Sequence, residues 1–250
     1  MPIPKAVFLD VGWTLLYPRE SIWDAMAAVA REAGSVLTGA DAENLIYDLM
    51  TAGREQALTR FGPETEYTDS DEEFLAMFVA MGRMLFTVAG ITDDHAGLMQ
   101  RFFQRFWTRD NWAVFPEVFA VLERLRRRGV RVGALSNASS DLVGFLDQLG
   151  LLRHLDFAVV SAVEGTKKPD QRIFQLALRR AGVTPEEAVH VGDMYIEDIL
   201  GARNVGVRAL LMERGARAMF PNHAESTSLV PEPLEVVRNL EDVLAAIGVD

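Results

Sequence analysis

Short, nearly all-apolar runs recur along the chain, and each ends in small or polar residues. They fall at Ala6–Leu9, 130–135, Phe157–Val160, 188–191 and 207–211. Runs of this length without a polar alternation suit parallel strands buried on both faces. Between the last four runs lie stretches of helical spacing at 141–149, Gln171–Ala181 and 198–204. Ahead of the second run, residues 116–128 carry Val118, Val121, Leu122 and Leu125 at positions that share one helical face. Strands alternating with helices predict an α/β fold with a parallel sheet and right-handed crossovers.

The interval from 17 to 108 breaks that rhythm. It is too long for one crossover and shows no convincing strand. Its periodicity is helical at 22–31, 42–60, Asp71–Val88 and 93–108, and Asp69, Ser70, Asp71 and Glu72 form a helix start before an apolar run. The reading is a Rossmann-like parallel sheet core at 1–16 and 109–250, with an inserted α-helical cap domain at 17–108. The apolar, Met-rich stretch 74–88 reads as the packed interior of that insert, with a subunit contact as the alternative. Residues 213–233 show no clear period. A short strand at Val236–Val237 and a last helix capped by Asn239 are expected after them.

Composition narrows the function. The chain has 250 residues and no cysteine, which removes disulfides, thiolate metal sites and cysteine nucleophiles. Its formal charge of −11 argues against nucleic acid as the main partner. The basic run at 124–128 reads as a solvated helix end, where positive charge suits the helix dipole. No stretch approaches the ~20 apolar residues of a membrane span. The expectation is a soluble, cytoplasmic protein that engages neither membrane nor nucleic acid. Lysine occurs only at 5, 167 and 168, so the pair stands out.

In open α/β sheets, ligands bind beyond the carboxyl ends of the strands. The first strand ends in Asp10, followed by Val11, Gly12, Trp13 and Thr14. The second ends in Ser136 and Asn137. The loop after the third leads to Lys168, and the fourth ends in Gly192 and Asp193, with Asp198 beyond. Singly, each has an ordinary explanation as a turn or helix cap. Together, acidic oxygens suit a hard cation such as Mg²⁺. A hydroxyl, an amide and a lysine beside them suit phosphate. A carboxylate between the two can act as a nucleophile.

This ordered set resembles the haloacid dehalogenase-like hydrolase superfamily over nearly the whole chain. The matching pieces are Asp10-x-x-x-Thr14-Leu15, Leu135-Ser136-Asn137, Lys168-Pro169-Asp170 with Ile173-Phe174, and Val191-Gly192-Asp193 with Asp198 and Gly201-Ala202-Arg203. A helical insert between the first two looks like that family's first type of cap. The resemblance implies that Asp10 is the nucleophile and that Thr14 steadies its loop. It implies a phosphate site of Thr14, Ser136, Asn137 and Lys168, with Ser136 and Lys168 aiding catalysis and Lys168 orienting Asp10. It implies a Mg²⁺ site of Asp10, the Gly12 carbonyl and Asp193, with Asp198 as a further ligand or a partner behind the ligands. The implied substrate is a small phosphorylated metabolite.

One position departs from that pattern. Most phosphatases of the family carry Asp-Gly where this chain has Gly12-Trp13. The missing Asp would protonate the leaving alcohol and then activate water, help worth about two to four orders of magnitude in rate. Gly12 keeps its carbonyl, so metal and phosphate binding can survive while turnover suffers. Three readings follow. The first is a phosphatase that is slow or borrows an acid from the substrate, from water or from the cap, where Glu20 and Asp24 are candidates. The second is a haloacid dehalogenase-type hydrolase, whose leaving halide needs no proton. The third is a non-catalytic module that binds a phosphorylated ligand or a protein. Trp13 reads equally as packing and as a wall of the substrate pocket. Trp107, Trp112 and Phe115 read as hinge packing, and His190, inside the fourth strand, reads as core.

Overall fold

A computed structural model describes residues 2–51, 69–215 and 234–249. The chain divides into two compact units, Met1–Tyr17 with Val114–Asp250, and Pro18–Ala113.

The first unit is built on six parallel strands. They are β1 (Ala6–Leu9), β4 (Arg131–Ser136), β5 (Phe157–Val160), β6 (Ala188–Gly192), β7 (Arg208–Met212) and β8 (Val236–Val237), in the spatial order β5-β4-β1-β6-β7-β8. The chain first runs outward from β1 to β4 and β5, then returns to the other side of β1 at β6. The strand order therefore reverses beside β1, where α/β sheets place their ligands. Leu9 lies opposite Ala134 on one side and Val191 on the other. That register sets Asp10, Ser136 and Asp193 at three adjacent strand ends.

Burial explains why these runs are strands. Ala6, Val7, Phe8 and Leu9 are each 0% exposed. Phe8, Leu135, Val159, Phe174, Ile199 and Leu211 belong to one buried cluster with the helix Gln171–Ala181. That helix is capped at its start by Asp170, whose side chain accepts from Arg172 N, and is closed by Gly182 in the left-handed region. The helix Leu240–Ala246 opens on Asn239, which accepts from Asp242 N at 2.9 Å.

Several sequence boundaries shift. The second core strand runs Arg131–Ser136 rather than 130–135, because Val130 N–H closes the preceding helix on Leu125 O and Ser136 pairs with Val160. The helix expected at 198–204 is instead a wide π turn, Tyr195–Leu200, followed by Gly201–Arg203. The Met194 N–H is taken by the Asp198 side chain, while Asp198 N–H bonds Met194 O. A short ribbon flanks the interval 17–108, where Leu16–Pro18 (β2) pairs with Trp112–Val114 (β3), too short to show a period.

The unit Pro18–Ala113 is helical, with helices Ile22–Glu32, Gly39–Thr51, Asp71–Val88 and His95–Phe106 among its described residues. The stretch 52–60 of the expected second helix lies outside the described residues, as does 216–233 of the aperiodic segment. Ser70 caps the third helix by accepting from Glu73 N, as the Asp-Ser-Asp-Glu start predicts. Aromatic rings fill the unit: Phe106 stacks on Phe102, and Trp107 stacks on Trp112 at 5.1 Å between centroids. Trp112 Nε1 and the Asn111 amide both donate to Phe106 O, tying the last helix to the exit strand. Among the described residues, no helix is long and apolar enough to cross a membrane.

Candidate active site

Lys168 is the hub of the first unit's buried polar groups. Its ammonium is 3% exposed and donates at 2.6 Å both to Asp10 Oδ1 and to Asp198 Oδ1. Asp10 follows β1 directly, and its N–H bonds Val191 O of β6, so the sheet itself fixes the carboxylate's origin. Asn137, just after β4, holds Lys168 by its main chain. The Asn137 carboxamide donates to Lys168 O at 2.9 Å and accepts from Lys168 N at 2.8 Å. This two-sided clamp sets the loop carrying Lys168 against the end of β4. Expected to bind phosphate, the Asn137 side chain spends one donor and one lone pair on that clamp.

Asp198 sits behind the hub with no exposure. Its Oδ1 faces both Lys168 Nζ and His190 Nε2, the latter at 2.8 Å, and its Oδ2 accepts from Met194 N at 2.9 Å. A Cβ on Gly192 would fall 2.1 Å from the Asp198 carboxyl carbon, so only glycine lets the π turn bring this carboxylate back against β6. His190 is buried in β6, as a core residue would be, yet its ring also belongs to this network. The sequence reading missed that role. The only available signal was a polar residue in an otherwise apolar strand.

Asp10, Asp193 and Asp198 are all buried, and each offers an oxygen within 4.8 Å of the others. The charges do not balance: three carboxylates share one ammonium and the His190 ring, so negative charge is in excess when all three acids are ionised. The pKa directions follow. Burial pushes the Asp10 carboxyl up against the pull of Lys168. Burial, then the charges of Asp10 and Asp198, pushes Asp193 well above its ordinary value. Burial opposes the charged form of Asp198 as well, but Lys168 and His190 outweigh it and hold this carboxyl far below the usual range. Burial also works against the Lys168 ammonium, and the two carboxylates overcome that and raise it.

Ser136 is buried at the end of β4. Thr14 is fully buried, and its hydroxyl has no hydrogen-bond partner among the described residues. The Gly12 carbonyl accepts from Thr14 N at 2.7 Å and keeps a second lone pair. No atom lies within 4 Å of where a Gly12 Cβ would stand. Trp13 has φ +53°, a left-handed backbone that bulky residues rarely adopt. In the helical unit, Glu20 makes a two-pronged ion pair with Arg105 at 2.7 and 2.6 Å. There too, Asp24 exchanges hydrogen bonds with Ser21 at the start of a helix.

A cluster of carboxylate oxygens with uncompensated negative charge fits a divalent hard cation. Residues 4–206 match the haloacid dehalogenase-like hydrolase family. The chain is 30% identical to haloacid dehalogenase-like hydrolase domain-containing protein 3 of Danio rerio over 99% of its own length and 98% of the relative's. It belongs to the haloacid dehalogenase-like hydrolase family.

A phosphoserine phosphatase of Thermus thermophilus is 41% identical over 46% of this chain and 47% of its own. The solved structure of the putative hydrolase YfnB from Bacillus subtilis, bound to magnesium, superposes with a TM-score of 0.71 at 20% identity. That superposition covers 98% of this chain and 99% of the other, a likeness of fold.

Proposed function

We propose that the protein hydrolyses a small phosphate ester in a Mg²⁺-dependent reaction, with Asp10 as the nucleophile. The observation that carries this reading is the ammonium of Lys168 held at 2.6 Å from Asp10 beside an over-charged carboxylate cluster. In this reading Asp10, Asp193 and the Gly12 carbonyl hold the metal. When bound, Mg²⁺ would cancel the excess negative charge and let an anionic phosphate approach an anionic nucleophile.

The protein's own groups do the rest. Lys168 aims one Asp10 oxygen by bonding it, leaving the other oxygen to attack phosphorus. Ser136, the Lys168 ammonium and the remaining Asn137 amide hydrogen bind phosphate oxygens, and Thr14 steadies the turn beneath them. Asp198 already accepts three protein hydrogen bonds, which favours a place behind the ligands, orienting Lys168. Attack by Asp10 forms an aspartyl phosphate and expels the alkoxide, which takes its proton from water, and water then cleaves that intermediate to phosphate and free Asp10. The helical unit Pro18–Ala113 serves as the cap that selects the substrate.

Gly12 brings no proton to the leaving alkoxide. Esters of acidic alcohols, such as aryl phosphates, therefore turn over faster than alkyl esters. The same missing group supports a second reading, in which the site binds a phosphorylated ligand without turning it over. A panel of aryl and alkyl phosphates, assayed with and without Mg²⁺, separates the two. Metal-dependent phosphate release that disappears in Asp10→Asn supports hydrolysis. Phosphate binding with no release by either ester class supports the binding module.

A further inference from the structure

The turn that carries Asp10 contains a strained residue, and the fold places an unusual brace on it. Trp13 stands at φ +53°, an arrangement unfavourable for a non-glycine residue and kept only where surrounding structure over-determines it. Thr14 N–H bonds Gly12 O, and the N–H groups of Leu15 and Leu16 both reach Val11 O.

The brace is Arg214, two residues beyond β7 and 200 positions from Thr14. Its side chain is 5% exposed. Nη2 donates to the Thr14 carbonyl at 2.6 Å, and Nη1 donates to Glu117. The guanidinium carbon lies 3.8 Å from the centroid of the Phe115 ring, in cation–π contact. Glu117 in turn accepts from Leu240 N, the first residue of the last helix. Phe115 N–H bonds Leu15 O, on the other side of the same turn. Arg214 thus ties the turn to the segment entering the helix Val118–Arg127 and, through Glu117, to the helix Leu240–Ala246. A planar, permanently charged fork that also stacks is what this task needs, and lysine cannot reproduce it.

We infer that Arg214 is a positioning residue for the active-site turn: its bond to the Thr14 carbonyl holds Trp13 in the left-handed conformation and thereby sets the Gly12 carbonyl beside Asp10. Thr14 links the two ends of this lever through the peptide groups on either side of its Cα. Its carbonyl takes the Arg214 hydrogen bond, while the N–H of the same residue holds the Gly12 carbonyl. The bracing of the turn stands apart from the proposed reaction. Only its consequence for metal binding rests on that reading.

The test is a double-mutant cycle read by amide hydrogen exchange in the metal-free protein. Arg214→Met should speed exchange of the Thr14, Leu15 and Leu16 amides about tenfold or more, while amides of β4 stay unchanged. In a Trp13→Gly background there is no left-handed strain to restrain. There, adding Arg214→Met should change the same amides by less than about threefold. No acceleration in Arg214→Met, or equal acceleration in both backgrounds, overturns the inference. If Arg214→Met does not fold, Arg214→Lys carries the test. It keeps the charge, loses the fork, and should speed the same amides about threefold or more in the Trp13 background only.

Calorimetric titration of the same variants with Mg²⁺ alone separates the two claims. A wild-type protein that binds no Mg²⁺ contradicts the metal reading, while the exchange result still decides the brace.

Discussion

Lys168 and Asp198 form a 2.6 Å ion pair with almost no exposure at either end, and that pair decides where Asp10 can point. Asp198 cannot drift, because His190 and the Met194 N–H hold it from behind. The ammonium it anchors is consequently fixed on Asp10. Preorganisation of this kind is what an electrostatically driven reaction requires, since the charges need no rearrangement as the transition state forms.

Breaking the anchor should therefore be costly to both stability and activity. Asp198→Asn leaves the buried Lys168 with one fewer carboxylate and should destabilise the protein by about 3–5 kcal/mol, the usual penalty for removing one partner of a buried pair. Urea unfolding measures it. A loss below about 1 kcal/mol would mean that the pair is not held as described.

His190 provides a gentler probe of the same anchor. His190→Phe fills the space but removes the contact to Asp198 Oδ1, at a cost of about 1–3 kcal/mol. His190→Gln, which retains a side-chain amide donor, should recover part of that stability and most of the activity. Equal effects of Phe and Gln would show that only the volume of the ring matters.

The pKa directions give a pH dependence with a definite sign. Asp193 and Asp10 are raised in the folded protein, so the native state holds protons that the unfolded chain has lost. The metal-free protein therefore loses stability as pH rises from the ordinary carboxylate range through those raised values. Asp198, being lowered, acts oppositely: its stabilisation is present above the ordinary range and is lost only as pH falls below it. A divalent cation requires the deprotonated acids and relieves their repulsion, so Mg²⁺ should raise the melting temperature more at about pH 8 than at about pH 5. Thermal scans with and without Mg²⁺ check this, and a shift that shrinks with rising pH contradicts it.

Gly12 is open to repair. A side chain there meets nothing within 4 Å at its first atom, so Gly12→Asp should fold. If the missing carboxyl limits proton transfer, turnover of alkyl phosphates should rise about 10²–10⁴-fold, with Trp13→Gly added to relax the turn. A folded double mutant with unchanged turnover of alkyl esters would place the limit elsewhere.

The parts of this site that lie at strand ends were legible in the chain. Apolar runs located β1, β4, β5 and β6, and the residues after them, Asp10, Ser136 and Asp193, follow from the rule that sheets bind at their carboxyl ends. What could not be read depends on segments distant in sequence. The Asn137 clamp on Lys168 spans 31 positions and the Arg214 bond to Thr14 spans 200. No local period encodes either. The π turn escaped because one widened turn leaves the apolar spacing looking like an ordinary helix. His190 was read as core because burial and function coincide there. The left-handed turn did leave a trace, since a bulky Trp13 stands where the family resemblance implies a glycine.

The most direct test of the central claim is a rapid-quench experiment with an aryl phosphate and Mg²⁺. The leaving phenolate needs no proton, while hydrolysis of the intermediate lacks its usual base. The account predicts a burst of about one phenolate per chain, slow turnover afterwards, and a phosphoryl group on the peptide bearing Asp10. The burst should be absent without Mg²⁺ and in Asp10→Asn. Phosphate release with no burst and no modified peptide, or a burst that persists in Asp10→Asn, would contradict it.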